Sequence, residues 1–169
     1  MVNESYKFDA SVSTQSFKDK NDIHWNKVSY TRGDNITFSL FELLVRGGYC
    51  FNHLFQDKKG NQSNFTQHTW KETFFVCVDI DDCRMNMDQF ISNLTFPPTL
   101  FYTTRNHTDE CPRFRILYFF SEKITNLQLY QYLYDRIIHQ MEIDNNWKST
   151  DNCGRKGTQQ MSGNANYNI

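Results

Sequence analysis

The chain has 169 residues, which is enough for one domain with a substantial core and too few for two large ones. Aromatic residues make up 16 % of the chain, and this content argues against disorder except at the ends. The formal charge of −1 excludes a protein that is basic over its whole surface, so any site for a polyanion must be a local basic patch.

The distribution of apolar residues and cysteines indicates the cellular compartment in which the protein is expected. The start, MVNESYKFDASVSTQ, is polar and lacks the apolar core of a signal peptide, and no later apolar run approaches the length of a membrane span. The five cysteines form an odd set without a C-x-x-C pair, which argues against a disulfide framework and against a zinc site. We therefore expect a cytoplasmic protein with no membrane contact.

The first half of the chain is expected to begin with a polar lead over residues 1–24. A helix is predicted from about Thr37 to Arg46, because apolar residues recur there at helical spacing and two glycines follow. The polar segment 56–67 is typical of a loop. The run TFFVCVDI, residues 73–80, is apolar, aromatic and β-branched, so it indicates a buried strand.

The second half continues with strands and helices. A short helix is predicted over residues 88–94, and strands are predicted over 99–104 and 113–120. The longest helix is predicted after a cap at Thr125 or Asn126, because apolar residues recur there every four positions. Those apolar positions are Leu129, Leu133, Ile137 and Met141.

The elements together indicate the fold class. Strands and helices that follow one another in this way predict an α+β, or mixed α/β, fold with a central sheet and flanking helices. We expect a single domain over residues 1–169, in which the polar, glycine-containing segment 145–169 forms an irregular tail.

Two aspartates at the end of the first predicted strand are the leading candidates for chemistry. Residues i and i+2 of a strand point to the same face, roughly 6.5 to 7 Å apart, so Asp79 and Asp81 could bind one divalent cation. Carboxylate oxygens suit Mg²⁺ or Mn²⁺. Asp82 faces the other way and is interpreted as a cap for the next helix. The alternative is that all three residues only solubilise the strand end.

A third carboxylate follows the long predicted helix. In the segment MEIDNN, Asp144 again stands at the end of an apolar element. Together with Asp79 and Asp81 it could hold two metal ions roughly 3.5 to 4 Å apart, which would activate a hydroxyl nucleophile and stabilise a leaving phosphate. The alternative for Asp144 is a simple turn residue at the helix end.

Basic residues lie between these acids. In the segment CPRFRILYFF, Arg113 and Arg115 share one face of a predicted strand. Guanidinium groups in a buried strand are costly unless they meet anions, and a triphosphate is the anion expected beside a metal cluster. The alternative is a solvated sheet face. His107 precedes the strand in a loop, where a histidine is more often a surface residue than a catalyst.

The order of these motifs resembles the archaeo-eukaryotic primase superfamily, in particular the primase-polymerase domains of plasmid, phage and mobile-element replication proteins. The first family motif, an apolar strand ending in D-h-D, is matched by Asp79 and Asp81, and the third is matched by Ile143-Asp144. The helix and glycine turn in FELLVRGGYCF also look like the segment that precedes the first motif. A family tail with the pattern D…D…R…G…N is matched loosely by Asp151, Arg155, Gly163 and Asn164.

The middle motif departs from the family pattern. The family usually has a small residue, any residue and then His at the start of that strand, whereas this strand starts Arg113-Phe114-Arg115. In this alignment Arg115 occupies the position of the His that contacts the nucleotide phosphates in the family. His107 could alternatively serve from the loop.

The resemblance implies an RRM-like catalytic core that makes or extends primers on a single-stranded template. It implies Mg²⁺ or Mn²⁺ on Asp79, Asp81 and Asp144, and an NTP or dNTP held by Arg113, Arg115 and His107. Lys148, Arg155 and Lys156 would follow the template phosphates, although they could also be plain surface charge. A helicase or another replication protein is the expected protein partner.

Three other functions remain open from the sequence. A replication-initiation or nucleic-acid-binding module without catalysis would keep the fold and bind nucleic acid. A metal-dependent nuclease could use the same carboxylates to activate water. A glycosyltransferase also uses a D-x-D strand end with Mn²⁺, but it normally needs a larger domain and gives no role to Asp144.

Overall fold

Two antiparallel sheets of four strands each form the framework of the protein in a computed structural model, which describes residues 6–81, 83–150 and 153–165. The first sheet, in the order β2-β1-β3-β8, contains β1 (Lys7–Ser16), β2 (Tyr30–Thr37), β3 (Tyr49–Asn52) and β8 (Met161–Ser162). The second sheet, in the order β4-β5-β7-β6, contains β4 (Leu54–Phe55), β5 (Trp70–Ile80), β6 (Leu100–Thr103) and β7 (Phe114–Ile124).

In the described part of the chain three α-helices accompany the sheets, so the α+β class predicted from the sequence is confirmed. They are α1 (Phe38–Arg46), α2 (Met87–Ser92) and α3 (Leu127–Asn145). Each begins after a polar side chain that accepts hydrogen bonds from the first free amides, namely Thr37, Asn86 and Asn126. Among the described residues, no helix combines the length and the apolar character that crossing a bilayer requires.

The second sheet is covered on both faces because successive side chains of β5 alternate between two cores. Val76, Val78 and Ile80 pack with α2 and α3. Phe75 and Cys77 face the other way, into an aromatic core shared with α1 and the first sheet. The next position with that orientation is Asp79, which therefore lies at the end of the face that the first sheet covers.

The described parts of the predicted polar lead and irregular tail contain regular structure. Within the predicted polar lead, residues 7–16 form β1, whose Phe8, Ala10 and Val12 are buried in the aromatic core. Within the predicted irregular tail, Gly154–Lys156 form a short 3-10 helix and β8 pairs with β3. Both segments therefore contain paired strands that the sequence did not predict, because these strands are held by pairing with distant parts of the chain.

The long helix is present, and its buried face overlaps the predicted one in part. Leu129 is 48 % exposed, while the neighbouring Tyr130 and Tyr134 are buried, and the hydroxyl of Tyr130 donates a 2.8 Å hydrogen bond to the carbonyl of Gly154. Tyrosine rings bury a large apolar area once the hydroxyl has a partner. Of the four predicted apolar positions, Leu133, Ile137 and Met141 do pack against the core, whereas Leu129 does not, so the aliphatic periodicity missed mainly the contribution of the two tyrosines.

Candidate functional site

Charged residues from β5, β7 and the loop after β6 line a cleft with a volume of about 320 Å³. We call it the charged cleft. Gln159, Gln160 and Ser162, from the segment that ends in β8, close it on one side, and Trp25 borders it on another. Its charged side chains, three basic and two acidic, are Arg105, Arg113, Arg115, Asp79 and Asp81. The cleft therefore carries a net positive charge beside two carboxylates.

The inner end of the charged cleft is an ion pair between neighbouring strands. Asp79 on β5 and Arg115 on β7 are direct cross-strand partners, and the Nε of Arg115 donates to Oδ1 of Asp79. The side chains are only 12 % and 9 % exposed. Burial by itself would lower the pKa of Arg115, but the charge of Asp79, together with Tyr102, Cys77 and the hydrogen bond to Asp79, outweighs burial and raises that pKa well above its usual value.

Further hydrogen bonds hold this pair in one geometry. Nη1 of Arg115 donates to the hydroxyl of Tyr102, its partner on β6, at 3.2 Å and to the carbonyl of Ser162 at 2.7 Å. Nε2 of Gln159 donates to Oδ2 of Asp79 at 2.8 Å. Both carboxylate oxygens of Asp79 thus have partners, as buried charges require.

The outer end of the charged cleft is more open. Nη1 of Arg113 lies 3.7 Å from Oδ1 of Asp81, and the two side chains are 31 % and 35 % exposed. The predicted same-face arrangement of the two aspartates and two arginines is confirmed, since all four line this cleft. At this distance and exposure the Arg113–Asp81 pair is more weakly held than the buried pair of Asp79 and Arg115.

Arg105 is a cleft residue that the sequence reasoning missed. Its guanidinium is anchored by backbone carbonyls of three separate segments: Nε donates to Gly163 at 3.0 Å, and Nη2 donates to Phe17 and to Gly48. Burial lowers the pKa of Arg105. Its position just beyond the end of β6 was a usable signal, because Asp81 also lies just beyond the end of its strand, β5.

The C-terminal segment is positioned by two close contacts. The side-chain amide of Asn164 is buried and donates a 2.8 Å hydrogen bond to the carbonyl of Thr103. Gly163 lies so close to α1 that a Cβ there would be 2.3 Å from the carbonyl oxygen of Val45. These contacts place the Ser162 carbonyl against Arg115. Asp151, the other tail position of interest, lies outside the described residues, as does Asp82.

The third predicted carboxylate is not in the charged cleft. Asp144 lies in the last turn of α3, on the helix-covered side of the second sheet, and borders an apolar cavity near Phe96 and Tyr118. Its carboxylate accepts hydrogen bonds from the amide and hydroxyl of Thr95, at 2.7 and 2.8 Å, and from Gln140 at 2.8 Å. The Thr95 amide lowers the pKa of Asp144. The prediction that Asp144 joins Asp79 and Asp81 is therefore wrong for this structure.

The remaining predicted residues also lie outside the cleft. Nδ1 of His107 accepts a 3.1 Å hydrogen bond from the backbone of Arg113, and the ring lines a neighbouring cavity with Asp109. Lys148 and Lys156 are exposed, and Arg155 forms a 2.8 Å ion pair with Asp135 of α3. His107 therefore supports the segment that carries Arg113, while the three basic residues belong to the surface around α3.

The carboxylates of the cleft fit one hard cation better than two. Asp79 and Asp81 share a face, but Arg115 and Gln159 occupy the oxygens of Asp79. Across the described part of the chain, no group of three or more His, Cys, Asp and Glu side chains is arranged to hold a metal ion. A Mg²⁺ or Mn²⁺ ion at Asp81, shared with Asp79, would need further oxygen ligands from a bound phosphate and from water. A three-carboxylate, two-metal centre does not fit this geometry.

Comparison with known proteins leaves the family open: the chain matches no protein-family model, no curated protein and no solved structure.

Proposed function

We propose that the protein binds the phosphates of a nucleotide in the charged cleft and acts as a primase-polymerase-like nucleotidyltransferase. The observation that supports this proposal is that Asp79, Asp81, Arg113 and Arg115, from two separate sequence motifs, line one cleft. The reaction would join an NTP or dNTP to a primer 3′-hydroxyl, or to a first nucleotide, on a single-stranded template. The second sheet with α2 and α3 would then be the RRM-like core that the sequence resemblance implies.

Some residues of the cleft would bind the nucleotide phosphates, and others would position the charged groups around them. Arg113, at the open end, would bind phosphate oxygens with two parallel N–H donors, a geometry that Lys does not offer. Arg115 would hold Asp79 and add positive charge behind the phosphates. A Mg²⁺ or Mn²⁺ ion bound by Asp81 and Asp79 would supply neutralisation of the negative charge that develops on the phosphates. Positioning and charge complementarity are the main sources of rate in this chemistry.

The template and the protein partner belong to the same proposal. Lys148, Arg155 and Lys156 would contact template phosphates around α3, and each would contribute a small, salt-dependent part of the affinity. Arg155 would have to exchange its partner Asp135 for a phosphate. A cytoplasmic replication complex with a helicase is the setting that this activity implies.

The position of Asp144 favours a second candidate function. Without a third carboxylate near Asp79 and Asp81, the chain would be a nucleic-acid-binding replication module without catalysis. In that case the arginines of the charged cleft would contact the phosphates of a single strand, and no metal-dependent transfer would take place. The two functions therefore differ in one observation: only the nucleotidyltransferase forms extended primers.

Primer extension tests the proposal. The full chain is incubated with a single-stranded DNA template, labelled NTPs or dNTPs and Mn²⁺, and the products are separated on a gel. We expect extension products with the wild type and with Arg136→Ala, an exposed arginine of α3 that serves as the matched control. We expect their loss with Asp81→Asn and with Arg113→Ala. Both test residues are partly exposed, so these variants should fold.

The same samples separate the second candidate from failure of both. Template binding without any product would support the binding module and overturn the transfer reaction. Undiminished products from Arg113→Ala would remove the charged cleft from the mechanism. Absence of both nucleotide and template binding would refute both functions.

A further inference from the structure

A second, larger cavity adjoins the charged cleft and differs from it in chemistry. It has a volume of about 680 Å³ and lies between the short 3-10 helix Trp25–Lys27, the start of β2 and the loop around Asn64. We call it the neutral cavity, because none of its lining side chains carries a charge at neutral pH. Trp25 and Gln160 line both the neutral cavity and the charged cleft. The two spaces are therefore neighbouring parts of one surface depression.

The segment before β8 forms the wall between them. Gln159 directs its amide into the charged cleft, where Nε2 donates to Asp79 at 2.8 Å. The next residue, Gln160, directs its amide the other way, and its Oε1 accepts a 2.9 Å hydrogen bond from the hydroxyl of Tyr30. Two consecutive side chains thus anchor the wall on opposite sides. A ligand that extends past Gln160 passes from a charged environment into a neutral one.

The lining of the neutral cavity combines aromatic faces with amides. Trp25 is 37 % exposed and lines both spaces, so a ligand in either of them can reach its side chain. Tyr30 and Phe65 lie edge to face with centroids 4.6 Å apart and form a fixed wall. The amide side chains of the lining are Asn26, Gln62, Asn64 and Gln160. Amides offer a donor and an acceptor together, which matches the edges of nucleobases, while aromatic rings match their faces.

From this juxtaposition we propose that the neutral cavity binds the base and ribose of the nucleotide whose phosphates lie in the charged cleft. This inference rests on the proposed function and adds the part of the ligand that the charged cleft leaves unexplained. A cleft of about 320 Å³ lined by arginines accommodates phosphates, whereas the uncharged part of the same ligand needs a neighbouring uncharged space. Trp25, at the border of the two spaces, would stack on the base.

Comparing a complete nucleotide with its phosphate part tests the inference. The binding of ATP, CTP and inorganic tripolyphosphate to the full chain is measured by calorimetry at one Mg²⁺ concentration. Stacking of one base on an aromatic side chain is worth roughly fivefold or more in affinity. We expect the wild type to bind both nucleotides at least about fivefold more tightly than tripolyphosphate.

Four variants should affect the affinities for ATP, CTP and tripolyphosphate in different ways. Trp25→Ala should remove the advantage of the nucleotides over tripolyphosphate, and Trp25→Phe should restore much of it. Asn64→Ala, on the far side of the neutral cavity, should change the ratio between ATP and CTP. Tyr132→Ala removes another aromatic side chain, 60 % exposed on α3, and should leave all three affinities as in the wild type.

The outcomes separate this inference from the proposed function. Equal affinities of the wild type for nucleotides and tripolyphosphate, or equal losses for both ligands in Trp25→Ala, would overturn the neutral cavity as a nucleoside site and leave the charged cleft as a phosphate site. Arg113→Ala should weaken all three ligands together. No binding of any of the three would overturn the charged cleft and the neutral cavity at once.

Discussion

Asp79 and Arg115 face each other as direct partners on neighbouring strands, and each is buried by the first sheet and the segment around Ser162. The pair belongs to the fold as well as to the candidate site. Judged by charge alone, removal of clustered aspartates should relieve repulsion and leave the fold intact or stabilised. The ion pair reverses this expectation for Asp79, because its loss would leave a buried guanidinium without its charged partner.

Removal of either member of this pair should destabilise the protein strongly. We expect Arg115→Ala to lower the free energy of unfolding by about 3–5 kcal/mol, because it leaves Asp79 buried and unpaired. The double variant Asp79→Ala/Arg115→Ala should lose less than the sum of the single losses. Urea denaturation measures both quantities, and Arg136→Ala should stay within about 0.5 kcal/mol of the wild type. A loss below about 1 kcal/mol for Arg115→Ala would show that water reaches the pair.

Asp144 provides a test of the metal cluster predicted from the sequence. Since its carboxylate is bound by Thr95 and Gln140 on the other side of the second sheet, Asp144→Asn should leave primer extension within about twofold of the wild type. Asp81→Asn is the matched substitution inside the charged cleft and should abolish extension. Loss of activity in Asp144→Asn at unchanged stability would instead support the three-carboxylate centre.

His53 should make stability depend on pH. Its ring is buried and accepts a 2.9 Å hydrogen bond from the indole of Trp70, and burial lowers the pKa of His53 to about 3. In the unfolded chain the pKa is about 6.5, so below that pH the unfolded state binds a proton that the folded state does not. Stability is therefore lost as the pH falls through 6.5, by about 2 kcal/mol at pH 5.

The control for this prediction is His53→Gln, which has no titratable ring. Urea denaturation of both proteins at pH 7, 6 and 5 should give a stability difference that shrinks as the pH falls, because only the wild type loses the contribution of the histidine. Parallel profiles for the two proteins would assign the acid sensitivity to carboxylates alone.

Gly163 should not tolerate a side chain. A Cβ at this position would lie 2.3 Å from the Val45 carbonyl oxygen, so Gly163→Ala must displace β8 from α1 and costs about 1–3 kcal/mol. The displacement also moves the Ser162 carbonyl away from Arg115 and should weaken nucleotide binding. Ser162→Ala keeps that carbonyl and should behave as the wild type in denaturation and calorimetry. Equal stability of the two variants would mean that β8 shifts without cost.

Local patterns were sufficient for part of this architecture. The helix expected from Thr37 to Arg46 is confirmed, because its cap, its apolar spacing and its terminal glycines are all encoded within one short segment. The alternation of β5 and β7 correctly placed two aspartates and two arginines on one face. By contrast, β1 was missed although its Phe8, Ala10 and Val12 alternate with polar residues, because the whole segment around it is polar in composition.

The remaining errors concern relations between distant segments. Whether Asp144 approaches Asp79 depends on which face of the second sheet α3 covers, and helical periodicity carries no such information. The contributions of Gln159 and Ser162 to the charged cleft could not be predicted from local sequence either. Both residues lie in a polar segment whose position is set by pairing with β3 and by the fit of Gly163 against α1. Tertiary packing, and not local preference, decides these positions.

The wall between the two spaces has a consequence for the order of folding. Tyr30 and Gln160 are 130 positions apart in the chain, and Asp79 and Gln159 are 80 apart. The hydrogen bonds that hold the wall of the ligand-binding region therefore close very long loops of the chain. Long loops close late, because their entropic cost must be met before their contacts form. Newly made chains should therefore acquire the helix-covered core around α3 first and ligand affinity last. Stopped-flow refolding with a nucleotide in solution would show this as binding that lags behind the burial of the core.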